Sequence, residues 1–540
     1  MPATAPSPAP KRAYLLIPLA VLLILHPLLI HGPSCGQDLA FHLQSWLDAA
    51  HQLRHGTLYP QWDTTAAWNA GEPRFLFYPP LSWMLGAILT LIFPINLCPT
   101  IFIAIALLLS GLTFHKLASE FVSPNAALIA STLYLSNPYM LFTAFERSAL
   151  AELLAAAWIP LLLLALLRPA PTTPPAALST IRGIAIPLAL LWLTNAPAAV
   201  IGSYTLALIA TLRVLHSLIA PAPSSSRPER SAPPAPTSSR PERSGVERPL
   251  YFASNATSPF RLALTYLAGA LLGLTLPALY LIPAAHERKY IQTAMALLPN
   301  MRYQDNFLFT HTTDPAHNAV NHTISLLALA LLLLSIAAVL VLLLKKPLTR
   351  ETSTILRDEH STQRTQFADV TIPPSTSGRR TVAVFSINRR RRDPLAYPLT
   401  LLTGVVAFLL TPLSTPIWHH LPNLAYLQFP WRLLILLTPI LALSIALLLD
   451  SPNKFGAPCI LWLHRGLSRT VTALTLLLPL ALAIPAYRLF HQPPDPTDDP
   501  TALAHLFTTH HGFPPTDEYT PTPADNDPLR SNNPAYWLAR

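Results

Sequence analysis

Residues 324–344 read ISLLALALLLLSIAAVLVLLL, an uncharged stretch in which only two serines interrupt the apolar residues. About 20 apolar residues in a helix cross the roughly 30 Å hydrocarbon core of a bilayer, so this stretch reads as a membrane span. Residues 433–449, LLILLTPILALSIALLL, read the same way. Both are rich in Leu and Ala on every face, unlike the in-out alternation of a barrel strand, which leaves the helix as the spanning element.

The pattern extends outward over the whole chain. Of its 540 residues 51% are hydrophobic and 11% charged, and the apolar ones come in long blocks, which predicts an all-α polytopic membrane protein. Eleven spans are expected, near 13–31, 98–116, 124–142, 150–167, 182–197, 198–214, 261–283, 323–344, 396–412, 432–450 and 470–487. One further apolar segment, 80–93, is short and bracketed by Pro79, Pro80 and Pro94. Counted as a span, it would send Lys345, Lys346 and the arginines at 389–392 outside, against the positive-inside tendency. Counted as a juxtamembrane helix, it leaves Lys116, Arg168, Arg182, Arg213, Lys345, Lys346, Lys454, Arg465 and Arg469 inside. The net charge of +10 is therefore an orientation signal and not a nucleic-acid footprint.

Lys11 and Arg12 precede the first apolar run, which admits a cleaved signal peptide or an uncleaved helix. The following Gly32-Pro33-Ser34-Cys35 matches neither a small-x-small cleavage site nor a lipoprotein box, and the uncleaved helix is the preferred reading. The predicted organisation is a cytoplasmic N terminus (1–12) and a first membrane module (13–214) with an external loop at 32–94 that carries juxtamembrane helices. A disordered Pro-, Ser- and Arg-rich cytoplasmic linker (215–260) follows, in which SSRPERS at 225–231 recurs at 238–244. A pair of spans (261–344) then encloses an external loop at 283–322, and a basic linker (345–395), the last spans (396–487) and an external tail (488–540) complete the chain.

Some chemistries are excluded at once. There is no Walker loop, dinucleotide fingerprint, nucleophile elbow or Cys-x-x-Cys. Cys35, Cys98 and Cys459 fall in unrelated segments, and the histidines of 283–322 match no helical metal pair. The Thr194-Asn195-Ala-Pro197 turn reads as a tight external hairpin, since Pro ends a helix readily.

The polar motifs lie in the segments placed outside: GQDLAFH at 36–42, GTLYPQW at 56–62, GEPRFLFYPP at 71–80, ERSALAE at 146–152, LIP at 281–283 leading to Glu287, QFPWR at 428–432 and EYTP at 518–521. In this order they resemble the membrane part of the bacterial family named 6-pyruvoyl-tetrahydropterin synthase-related, whose architecture is similar to type C (GT-C) glycosyltransferases. The resemblance implies a GT-C-like enzyme of the bacterial inner membrane that takes a sugar from a polyprenyl-phosphate donor on the extracytoplasmic face. Its implied partners are the lipid bilayer and the lipid-phosphate-linked sugar donor, with no nucleic acid. It implies Asp38 and Glu152 as catalytic acids and His42, Arg147, Glu287 and Arg432 as substrate-binding residues.

Elementary chemistry fits those roles and also offers plainer ones. A carboxylate such as Asp38 at the membrane surface can take a proton from an acceptor hydroxyl or hold a divalent cation, but an Asp after a Gly turn is also a good helix N-cap. Arg147 can grip a carrier phosphate, yet Arg147 and Glu152 can equally neutralise each other at a helix end, and Glu146 is an alternative partner. Arg432 after Phe429-Pro430-Trp431 suits a lipid phosphate and is also an ordinary interfacial anchor. Two other functions compete: a transporter or flippase of lipid-linked substrates, which requires ionisable groups near mid-bilayer and discontinuous helices, and a non-catalytic envelope protein.

Overall fold

The structure is a computed structural model that describes residues 9–219, 258–344, 393–450, 468–495, 498–522 and 524. Among these residues every regular element is a helix, and β pairing is limited to isolated bridges between Asp63 and Glu72 and between Ile291 and Pro521. The first half holds α1 (Ala9–His31), α2 (Leu39–Arg54), α3 (Ala66–Asn69), α4 (Arg74–Phe77), α5 (Pro80–Ile92), α6 (Cys98–Ser119), α7 (Pro124–Leu135), α8 (Pro138–Phe145), α9 (Leu150–Ala155), α10 (Ile159–Leu167), α11 (Pro174–Thr194) and α12 (Ala196–Ile219). The second holds α13 (Pro259–Thr275), α14 (Ala278–Glu287), α15 (Pro315–Leu344), α16 (Asp393–Leu409), α17 (Thr415–His420), α18 (Leu434–Leu449), α19 (Ser468–Phe490) and α20 (Pro500–Thr508).

The chain is a multi-pass helical membrane protein. Among the described residues eight helices are long and apolar enough to cross a membrane, and two bent pairs raise the figure to ten. The pairs bend by 73° between Thr275 and Ala278 and by 93° between Leu409 and Pro412. Pro277 and Pro412 stand at these bends, where a ring in place of an N–H prevents the helix from continuing straight. Leu22, Leu264, Leu333 and Leu477 remain more than half exposed along the spans, which is the surface lipid covers.

The expected span 124–142 is corrected: it is two helices, α7 and α8, broken at Ser136 and Asn137. Asn137 caps α8 by accepting from the backbone N–H of Tyr139 (3.0 Å) and Met140 (3.1 Å), and Pro138 takes the first helical position. The pair still traverses the full depth. Glu120, just before α7, pairs with Arg168 at the end of α10 (3.0 Å), whereas Arg147, just after α8, pairs with Glu152 at the start of α9 (2.7 Å). Since 150–167 is itself a candidate span, 120–147 runs back across the same thickness.

The apolar segment at 80–93 forms α5, whose 13 residues extend only about 20 Å and are too short to cross. It packs on α2, where Gly86 has no side chain because a Cβ would run into the Trp46 ring. The polar turn at Asn195 is a hairpin: its Oδ1 accepts from Ala198 N (2.9 Å) at the head of α12, and Thr194 Oγ1 accepts from Trp158 Nε1 (3.0 Å). The predicted linkers are shorter at their edges than expected, because α12 continues to Ile219, α13 begins at Pro259 and α16 at Asp393. The remainder of both linkers, together with Lys345, Lys346, the arginines at 389–392, Lys454, Arg465 and Cys459, lies outside the described residues. Cys35 and Cys98 are buried free thiols.

Candidate functional site

The backbone after α1 is laced to the backbone after α8. Gln37 N donates to Glu146 O (3.3 Å), Asp38 N to Arg147 O (2.8 Å), and Gly36 N to Ser148 Oγ (3.0 Å). Ser34 Oγ donates to Phe145 O (2.7 Å) and Ser148 Oγ to Ser34 O (3.0 Å). Position 36 must be glycine, since any Cβ would collide with the Glu146 carbonyl. Ser148 sits at φ 49°, a left-handed conformation costly for a side chain, and its two hydrogen bonds hold it there. This lacing sets Asp38 beside Arg147, although more than a hundred residues separate them.

From that seam an ionic cluster extends inward. Asp38 Oδ2 lies 3.5 Å from Arg147 Nη2, Arg147 Nη1 lies 2.7 Å from Glu152 Oε2, and Arg432 Nε lies 3.3 Å from the same Glu152 oxygen. The Tyr139 hydroxyl donates to Glu152 Oε1. Arg432 Nη1 donates to Leu427 O (2.7 Å) and Gln428 Oε1 (3.2 Å), and Gln428 is held at φ 62°. The Arg147 guanidinium stands over the Trp431 ring (4.8 Å) and that of Arg432 over Phe429 (4.9 Å), contacts worth about 0.5–2 kcal/mol each. Four predicted residues from distant segments thus form one group of two cations and two anions.

Its members differ in access. The Arg147 and Glu152 side chains are each 4% exposed and Arg432 12%, whereas Asp38 is 43% exposed. Asp38 occupies the position before α2, yet its side chain makes no capping hydrogen bond, so the N-cap alternative is not realised. Among the described residues its one ionic contact is the long one to Arg147, which leaves the carboxylate open. Glu146 is not the partner of Arg147: its carboxylate accepts from Gln492 Nε2 (2.7 Å).

The two other predicted residues stand outside the ion pairs of the cluster. His42 is buried, and its Nε2 accepts from Leu150 N (3.2 Å), which also donates to Ser148 O (2.8 Å), so the ring is tied to the head of α9. Burial pulls its imidazole down to about 4, against the opposing pull of Asp38. Glu287 pairs with its neighbour His286 (2.8 Å) near the surface and makes no ionic contact with the cluster.

Sequence reasoning missed several participants. Tyr139 looked like one apolar residue among many, and only packing shows its hydroxyl spent on Glu152. Tyr78 packs against Phe41 (ring centroids 4.9 Å) and His42 (6.2 Å), and among the described residues its hydroxyl has no hydrogen-bond partner. Burial and then the Asp38 carboxylate push its phenol pKa up, which keeps it a protonated donor. Glu152 is committed to two guanidinium groups and a phenol, and among the described residues no three His, Cys, Asp or Glu side chains are grouped to hold a metal.

No protein-family model and no curated relative matches the chain. Two solved structures of the Archaeoglobus fulgidus oligosaccharyltransferase are similar to it. The complex with Zn and sulfate matches at 14% identity and a TM-score of 0.40, over 95% of this chain and 58% of the other. The apo form matches at 13% identity and a TM-score of 0.42, over 95% and 62%. This chain therefore spans about three fifths of the length of the proteins it matches. A likeness at that level assigns no activity.

Proposed function

We propose that the chain is a GT-C-like membrane glycosyltransferase that moves a sugar from a polyprenyl-phosphate donor to an acceptor hydroxyl at the extracytoplasmic face. The observation that carries the reading is the cluster itself: an open carboxylate, Asp38, within reach of two guanidinium groups held by one buried carboxylate. Glu152 is the organiser, Asp38 the base, and Arg147 and Arg432 the phosphate binders. The bacterial inner membrane, with the N terminus cytoplasmic and the tail external, belongs to the same proposal and follows from the placement of basic residues.

The chemistry balances within this chain's own groups. Asp38 takes the proton of the acceptor hydroxyl, the freed oxygen attacks the anomeric carbon, and the carbon–oxygen bond to the carrier phosphate breaks. At rest the four charges cancel. Once Asp38 is protonated the cluster carries a net positive charge, which faces the leaving phosphate as that group gains its second negative charge. Arg147 Nη2, with only its long contact to Asp38, and Arg432 Nη2, without a partner among the described residues, are the donors left for it. Tyr78 completes the rim with a free phenol donor.

The two bent helix pairs are a feature that a transporter would also display. Yet the ionisable cluster sits at helix ends, beside the starts of α9 and α18, and not in the middle of a span as a transporter's site requires. The deciding experiment is transfer of labelled sugar from a panel of polyprenyl-phosphate sugars by the purified protein in liposomes. Asp38→Asn is expected to lower kcat by about 100-fold or more with unchanged melting temperature. Equal turnover in the variant and the parent would remove Asp38 from the mechanism.

A further inference from the structure

A second buried knot lies in the loop between α1 and α6, and its centre is Arg74. The residue is 1% exposed and uses every arm of its guanidinium. Nε contacts Glu72 Oε1 (2.7 Å), Nη1 contacts Asp63 Oδ2 (2.9 Å) and Ser45 Oγ (3.0 Å), and Nη2 contacts Thr516 Oγ1 (3.1 Å). Thr516 comes from the C-terminal segment, and its N–H also donates to Glu72 Oε2 (2.8 Å). Beside it Phe513, 1% exposed, exchanges backbone hydrogen bonds with Thr65 and Trp68 at 2.8 Å each.

The same guanidinium connects this knot to the ionic cluster. It stands over the Phe41 ring at 4.6 Å, Phe41 meets Tyr78 edge-on, and the Arg74 carbonyl accepts from Tyr78 N (2.8 Å). We infer that Arg74 is a positioning residue, clamping segment 512–519 onto the first loop and holding the Phe41 and Tyr78 wall in place beside Asp38. Arginine is required because four hydrogen-bond and ionic partners around one guanidinium, plus a ring beneath it, match a rigid fork and not the point charge of a lysine. The clamp rests on geometry alone; its consequence for turnover rests on the transferase reading.

The full-length protein in nanodiscs is treated with chymotrypsin, and scission between Tyr519, whose ring stacks on Phe77, and Thr520 is followed by mass spectrometry. Cleavage there requires the segment to leave its seat, so its rate reports local opening. Arg74→Lys is expected to raise that rate by at least about tenfold, and Thr516→Val, which keeps every charge and the backbone N–H, by about threefold, while Asp38→Asn matches the parent. In the transfer assay Arg74→Lys should lower kcat by at least about tenfold with the donor KM within about threefold. A protected Tyr519 in both clamp variants overturns the clamp, and fast cleavage with unchanged kcat overturns the positioning role. A parent that transfers no sugar defeats the transferase reading alone and leaves the proteolysis result standing.

Discussion

Asp48 shows how a single residue in this loop carries a measurable signature. Its carboxylate accepts from Thr64 Oγ1 (2.5 Å), Gln52 Nε2 (2.6 Å) and Thr64 N (3.2 Å), but burial, and then the nearby Asp63, push its pKa from 3.8 up to about 7. The folded chain therefore keeps a proton that the unfolded chain releases between about pH 4 and pH 7, so this group's contribution to stability falls as pH rises through that window. His42 has the opposite sign: its depressed pKa adds stability as pH rises from about 4 toward 6.5. Melting curves of the parent and Asp48→Asn separate the two. The parent should lose stability relative to the variant as pH rises from about 4.5 to 7, by at most about 1.4 kcal/mol per pH unit, and parallel curves would contradict this. At this scale the sequence was partly legible. Asp38, Arg147, Glu152 and Arg432 were visible because charges are conspicuous in apolar surroundings. The partners they choose were not, because Tyr139 reads as apolar filler and His42 reads as a neighbour of Asp38, whereas packing commits it to the head of α9.

At the level of elements, the decisive feature is the seam between residues 34–38 and 145–148. Hydropathy located the helices on either side of it, since a long apolar block has one reading in a membrane. It could not locate the seam, which depends on a missing Cβ at Gly36 and a left-handed Ser148. Gly36→Ala is accordingly expected to lower the melting temperature and to reduce turnover together, because the added methyl pushes Asp38 away from Arg147. Retention of parental melting temperature and kcat would show that the seam does not set the site. The break at Asn137 escaped prediction for a similar reason: an Asn-Pro pair inside an apolar block signals a restart only when the Asn side chain turns back to cap it.

For the whole molecule, charge separates the two ends of the bundle. Arg168, Arg213 and Glu120 meet at one end through the Arg168 pair with Glu120 and a bond from Arg213 Nη1 to Arg168 O, and the catalytic candidates meet at the other. Cysteines introduced singly at the exposed Arg54 and at the exposed Pro175, in otherwise cysteine-free protein in intact cells, test the orientation. A membrane-impermeant maleimide should label position 54 and spare position 175, and the reverse pattern would place the cluster on the cytoplasmic side. The central claim is that Arg147 and Arg432 form a phosphate site at the outer end. Equilibrium binding of radiolabelled polyprenyl phosphate to the protein in nanodiscs tests it without knowledge of the sugar. The account predicts saturable binding by the parent, affinity lowered at least about tenfold by Arg147→Gln and by Arg432→Gln, and no loss in Asp38→Asn. Absence of binding by the parent, or equal affinity in all four proteins, would contradict it.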